Sequence, residues 1–178
     1  MEFKTLTEAR RSVRKYADKQ VTREQVEELI KAAQEAPSWK NQQTSRYYCV
    51  LDKDMCAKVR ENCLPEFNQK RSENMALIVT TFEKDNVGFD DKGQPINELG
   101  NGWGCYDLGL QNAYFMLKAK EIGLDTLVMG IRDADKLREM LNIPDTETVG
   151  AVLALGYGDE SPKKPNRKSL EEIAHFDF

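Results

Sequence analysis

Two basic clusters, one near each end of this 178-residue chain, and a polar segment after the first are where residue type and spacing could do chemistry. Arg10-Arg11-Ser12-Val13-Arg14-Lys15 places forked guanidinium groups around a hydroxyl, a donor set suited to phosphate. Lys163-Lys164-Pro165-Asn166-Arg167-Lys168 offers a second set. Alone, the first cluster reads equally well as a solvated basic face and the second reads more often as a charged tail, and the pair gains meaning only if the two meet in space. With 26 Lys and Arg against 30 Asp and Glu, the formal charge is -4. That balance argues against general affinity for nucleic acid, so any anion site must be local. Ala36-Pro37-Ser38-Trp39-Lys40-Asn41-Gln42-Gln43 carries amides that could read the edge of a heterocycle, or it is an ordinary connecting turn.

Other chemistries are poorly supplied. The one histidine, His175, has no cysteine or second histidine near it, which leaves no His-based metal site and no Ser-His or Cys-His nucleophile pair. Cys49, Cys56, Cys63 and Cys105 form no C-x-x-C pair, and a chain of this length needs no disulfide framework. Gly100-Asn101-Gly102-Trp103-Gly104 precedes a helix but lacks the G-x-G-x-x-G spacing, and no Walker A sequence occurs. These glycines read as a flexible loop entering a helix.

The elements that must position these groups follow from periodicity and punctuation. A helix opens at Thr22, with Gln25 at the capping-box spacing, carries Val26, Leu29, Ile30 and Ala33 as its stripe, and stops near Glu35 before Pro37. A short helix is expected over Thr7–Arg11, others over Lys53–Cys63 and Ala134–Leu141, and a long one over Trp103–Ile122, closed by Gly123. In the long helix Tyr106, Leu110, Ala113, Tyr114 and Leu117 share one face. Strands are expected over Tyr47–Leu51, Met75–Phe82, Thr126–Met129 and Val149–Leu155. Asp85–Asn101, rich in Asp, Gly, Asn and Pro, reads as a long surface loop. Alternation of helices and strands suggests, by pattern alone, a three-layer α/β fold with a parallel sheet. No linker divides the chain, so one domain over 1–178 is expected. No apolar run approaches the ~20 residues of a membrane span, and no export signal is visible, so the expected location is cytoplasmic.

In order and spacing, these motifs resemble those of the FMN-dependent nitroreductase family. Arg10-Arg11-Ser12-Val13-Arg14-Lys15-Tyr16 matches its Arg-Arg-Ser-x-Arg-Lys-aromatic start, and Ala36 to Gln43 matches its Ala-Pro-Ser-x-x-Asn-x-Gln. Asp107-Leu108-Gly109-Leu110-Gln111-Asn112 and Gly123 to Gly130 look like its central helix and the strand after it. Leu141-Asn142-Ile143-Pro144, Leu155-Gly156-Tyr157 and Pro165-Asn166-Arg167-Lys168 complete the order. The resemblance covers nearly the whole chain.

The resemblance implies an α+β fold with a central, mostly antiparallel mixed sheet flanked by helices, in an intertwined homodimer with flavin sites at the subunit interface. This replaces the parallel sheet suggested by element order. It implies FMN as cofactor and NADH or NADPH as reductant. Electrons would pass in two alternating half-reactions at flavin N5 to a small nitroaromatic, quinone or other conjugated acceptor, with no catalytic side chain. Arg10 and Arg167 would meet at the FMN phosphate with Arg11 and Lys168 nearby, and Ser12 would bond the phosphate or ribityl chain. Arg14 would lie near the N1/O2 edge, Asn41 and Gln43 at the pyrimidine edge or ribityl hydroxyls, and the backbone at Met129 and Gly130 at N5 and O4. Pro37 and Ser38 would reach the other subunit's cofactor. Trp39, Lys40, Phe67, Phe89 and Trp103 are candidates to line the open face of the ring, although Phe67, Phe89 and Trp103, each taken singly, read first as packing residues. Two positions depart from the family pattern: Thr44 stands where proline commonly follows the glutamine, and Pro165 where some members have a phosphate-binding lysine that Lys163 or Lys164 could replace. Flavin-dependent dehalogenation, oxygen-dependent flavin chemistry and non-catalytic flavin binding are the alternative functions.

Overall fold

A computed structural model describes residues 1–176. At its centre four strands, β1 (Ser45–Val50), β2 (Ala76–Glu83), β3 (Asp125–Met129) and β4 (Glu147–Gly156), lie in the order β1-β2-β4-β3. Every neighbouring pair is antiparallel. β2 and β3 do run in the same direction, joined by a helical crossover, but β4 inserts between them and reverses both pairings. This is why element order suggests a parallel sheet although none forms among the described residues. The parallel component of the expected mixed sheet is an isolated bridge from Ser12 to Thr126.

Among the described residues the seven helices are α1 (Phe3–Ala9), α2 (Arg23–Gln34), α3 (Lys53–Cys63), α4 (Glu66–Arg71), α5 (Gly102–Glu121), α6 (Ala134–Leu141) and α7 (Leu170–Ile173). Successive residues of the central strands feed opposite sides of the sheet, as the two-residue strand period requires. Leu77, Val79 and Val152 pack with Val59 of α3 and Leu137 of α6. Ile78 and Leu153 pack with Leu29 of α2 and Phe115 of α5 on the other side. β2 is therefore buried along nearly its whole length rather than alternating.

Helix starts follow local chemistry. The Gln25 N–H donates to Thr22 Oγ1 at 3.3 Å while the Thr22 N–H donates to Gln25 Oε1 at 3.0 Å, completing the expected capping box of α2. Asp52 and Asp133 cap α3 and α6 through the N–H groups of Met55 and Lys136. α5 begins against β2: a side chain on Gly104 would put its Cβ 2.2 Å from the Phe82 ring.

Several elements differ from expectation. α1 lies earlier than Thr7–Arg11, because Arg10 already takes extended geometry and the chain beyond it bridges to β3. α4 is additional: Pro65, which stops α3, also stands at the N-cap of the next helix. α7 is additional as well, closed by a Ser169–Glu172 capping box. The face of α5 that the sequence marks as apolar points outward. Its inner face is Gly104, Asp107, Leu108, Gln111, Asn112, Phe115 and Ala119, whereas Tyr106 and Tyr114 are exposed. With Asp107, Gln111 and Asn112 on the buried side and tyrosines on the exposed one, periodicity of apolar residues selects the wrong face. The expected loop over 85–101 is present, clasped at its base where the Asp85 N–H and carboxylate bond the Asn101 carboxamide, both at 2.8 Å.

Candidate functional site

Segments after α1 and after β4 run side by side. The Val13 N–H donates to the Thr126 carbonyl at 3.2 Å, the Ala17 N–H to the Tyr157 carbonyl at 2.9 Å, and the Asp159 N–H to the Lys15 carbonyl at 2.9 Å. Val13 and Tyr16 are buried as anchors, with the Tyr16 hydroxyl donating back to the Val13 carbonyl at 2.8 Å. The two basic clusters thereby meet. Arg10, Arg11, Ser12, Arg14, Lys163 and Arg167 line a cavity of about 260 Å³ with Pro162 and Pro165. Among the described residues, its lining holds no carboxylate. Partial burial, then the charges of Arg11 and Arg167, hold the Arg10 guanidinium below its ordinary pKa. Cations crowded this way around a lining free of carboxylates suit an anion, while the nearby Glu160 carboxylate is turned to the Arg14 backbone N–H at 2.5 Å. Lys163 faces the cavity while Lys164 turns to Glu8 at 3.9 Å. Lys168 is exposed and does not join the lining.

The Ala36–Gln43 segment is not a plain turn. Lys40, Asn41 and Gln43 have φ of 48°, 57° and 52°, left-handed backbone that costs a non-glycine residue about 1–3 kcal/mol. Such strain persists only where surrounding bonds over-determine it. Here the Trp39 N–H donates to Asp107 Oδ2 at 2.9 Å, the Gln43 N–H to Ser38 Oγ at 3.2 Å, and Arg46 Nη1 to the Gln43 carbonyl at 2.8 Å. Asn41 and Gln43 are exposed and bonded to each other at 3.2 Å. Pro37 is exposed, and the Ser38 hydroxyl is engaged within the loop.

Asp107, the first residue of the central-helix motif, gets no role of its own from motif reading, although it is what holds the Trp39 N–H in this loop. It is 3% exposed, and burial holds its carboxyl above the usual aspartate range, opposed by the Trp39 N–H. A carboxyl raised on folding contributes stability at low pH that is lost as pH climbs above the ordinary value of 3.8 through the folded one. Asp107→Asn keeps an oxygen for Trp39 and removes the buried charge. Thermal melts across that range are expected to show the variant gaining on the parent as pH rises, reaching roughly 2–4 °C for each kcal/mol. A constant difference would place the pH dependence elsewhere.

Of the aromatic candidates, Trp39 and Trp103 come together, with ring centroids 4.7 Å apart. Tyr106, not foreseen as a partner, joins edge-on at 5.8 Å, and Trp103 Nε1 donates to Asn97 Oδ1 at 2.9 Å. Lys40 is exposed beside them. Phe89 and Phe67 are apart from this group. Phe89 lines a different cavity of about 460 Å³ among Glu83, Asp85, Asp90 and Asp91. Phe67 is exposed on α4 beneath the Arg71 guanidinium.

At the sheet edge, Met129 buries its side chain in the core, so only its backbone can meet a ligand. Gly130 is exposed, its φ lies outside the left-handed region, and a Cβ there would meet nothing in this chain within 4 Å. The chain's own packing gives no reason for this glycine; close approach of an outside group does. The same holds for Gly109, exposed in mid-α5 with nothing within 4 Å, where glycine costs about 1 kcal/mol of helix stability.

Among the described residues, no helix is long and apolar enough to cross a membrane. Residues 7–157 match the profile of the nitroreductase family. An Archaeoglobus fulgidus protein named for NADH dehydrogenase and NAD(P)H nitroreductase activity is 30% identical over 152 residues, covering 83% of this chain and 80% of that protein. An FMN reductase [NAD(P)H] of Bacillus subtilis is 29% identical over 181 residues, 97% of this chain and 72% of its own. A protein of Exiguobacterium sibiricum solved in complex with FMN superposes with a TM-score of 0.82 at 21% identity, over 99% of this chain and 98% of that one. The match over residues 7–157 and the antiparallel sheet with flanking helices agree: this chain belongs to the nitroreductase family.

Proposed function

We propose that this protein uses NADH or NADPH to reduce a small nitroaromatic, quinone or other conjugated acceptor. As a member of its family it is an FMN-dependent NAD(P)H oxidoreductase. The observation that carries the reading is the carboxylate-free cavity built from both ends of the chain. Its donor set fits the phosphate of FMN: four arginines and a lysine converge, with the Ser12 hydroxyl beside them. FMN, when bound, supplies the redox chemistry at its ring.

The chain's residues bind and orient. Arg10, Arg11 and Arg167 hold the phosphate, Lys163 takes the place of the lysine absent at Pro165, and Ser12 donates a neutral hydrogen bond. Arg14 puts a fixed positive charge near the pyrimidine edge, where it favours added electrons. Gly130 lets the backbone approach the ring closely, consistent with the open space at its Cβ position. Asn41 and Gln43 present amides from a loop already held in strained geometry, which lowers the ordering cost of binding. Pro37 and Ser38 serve the partner's site in a homodimer. The outward apolar face of α5, with Gly109 and Ala113 among Tyr106, Leu110 and Tyr114, supports that dimer.

The test is spectroscopic and kinetic. The purified protein is expected to bind FMN and, without oxygen, to lose its visible absorbance on mixing with NADH or NADPH, then recover it with a nitroaromatic or quinone. FMN that stays oxidised with both nucleotides would make the protein a flavin carrier. Turnover of a halotyrosine alone would make it a dehalogenase.

A further inference from the structure

β3 ends at Met129, and the three residues after Gly130 are tied down from three directions. The Ile131 carbonyl accepts from Asn68 Nδ2 at 3.1 Å, Arg132 Nη2 donates to the Val149 carbonyl at 2.6 Å, and the Asp133 N–H donates to the Cys63 carbonyl at 2.8 Å. Asn68 is the unusual member. It is the buried residue of α4, 5% exposed, in a six-residue helix whose other side chains face outward or sideways. An apolar residue would be the ordinary choice there, because an amide withdrawn from water costs free energy unless it is bonded. The helix that carries it is itself fixed: the Asn68 N–H donates to the Pro65 carbonyl at 2.8 Å, and its carbonyl accepts from Ser72 Oγ at 2.7 Å. α4 is thus a strut whose one inward polar group ends on the Ile131–Arg132 peptide, two residues past the end of β3.

We propose that Asn68 is a positioning residue for the backbone at Gly130. By holding the Ile131 carbonyl inward, it fixes the path of the chain as it leaves β3 and with it the direction of the Gly130 N–H, whereas Met129 is already held by its pairing with Val152. This rests on the cofactor reading above and refines it. A donor aimed at the ring edge stabilises added negative charge, and a displacement of about 1 Å removes much of that effect. Asn68 therefore sets how readily the bound cofactor is reduced, whereas the cation cavity sets how tightly it is retained.

Asn68→Leu keeps the volume and removes the donor, and Asn68→Asp keeps the shape but turns an acceptor toward the Ile131 carbonyl. In the protein without added FMN, hydrogen exchange over residues 129–133 is expected to quicken about tenfold in either variant, while the sheet core is unchanged. In the FMN-loaded protein, the affinity should stay within about threefold of the parent, while the equilibrium with a reference redox dye shifts by about tenfold and the visible spectrum moves. If the Asn68→Leu variant does not fold, the isosteric Asn68→Asp variant carries the test. Parent-like exchange and parent-like dye equilibrium in a folded variant would overturn the proposal and leave the cofactor reading standing. A parent protein that binds no FMN would overturn both.

Discussion

Arg10→Ala is expected to weaken FMN binding by roughly 10- to 150-fold, the loss of one charge-assisted bond of about 1.5–3 kcal/mol. Arg167→Ala should do the same, although these residues lie at opposite ends of the sequence, because they line one cavity and the charge of Arg167 is felt at the Arg10 guanidinium. Removing one eases that crowding, so the double variant should lose less than the sum of the two. Lys163→Ala, a solvated partner, should cost less than about fivefold, and Lys164→Ala nothing, because Lys164 faces Glu8. Titration of FMN against each variant, read by quenching of flavin fluorescence, gives all five values. Unchanged affinity in both arginine variants would put the phosphate elsewhere.

Gly109→Arg is expected to convert a homodimer of about twice 20.4 kDa into a 20.4 kDa monomer that retains no FMN. The substitution does no harm to the isolated chain, since a Cβ at this position meets nothing within 4 Å. Replacing a mid-helix glycine even favours α5 by about 0.8–1 kcal/mol. Across a two-fold axis, however, the same surface meets its own copy, so one change introduces two bulky like charges where close approach is required. Light scattering reads the mass, and far-ultraviolet circular dichroism establishes that the monomer is folded. A variant that stays dimeric and yellow removes α5 from the interface.

How much of this was legible beforehand depends on whether the signal was local. The capping box at Thr22 and Gln25 and the bounds of α3 and α6 come from short-range stereochemistry and appear where expected. The order β1-β2-β4-β3 depends on which strand inserts between two others, a choice made by the completed core, and alternation of elements misleads about it. The inner face of α5 could not be picked out because it carries Asp107, Gln111 and Asn112, while the tyrosines Tyr106 and Tyr114 face away from this chain. The basic clusters were visible as residues, but their convergence needed the bridges of Ser12 to Thr126 and Tyr16 to Gly158. Asn68 lies in no motif, and Asp107 opens the central-helix motif without a role of its own. Their importance lies in being polar where the fold is closed, which only tertiary structure reveals.

The joining of both ends in one cavity has a consequence for how the protein is made. The sheet is complete once Gly156 has left the ribosome, whereas Arg167 emerges only afterwards. Domains fold largely as units during synthesis, so the core can close while the anion site still lacks one wall. Cofactor capture then comes last and reports that translation has run through the tail. A chain cut off between Gly156 and Arg167 would keep its four strands and α1 to α6 yet stay colourless, a product that a screen for solubility passes and a screen by eye rejects.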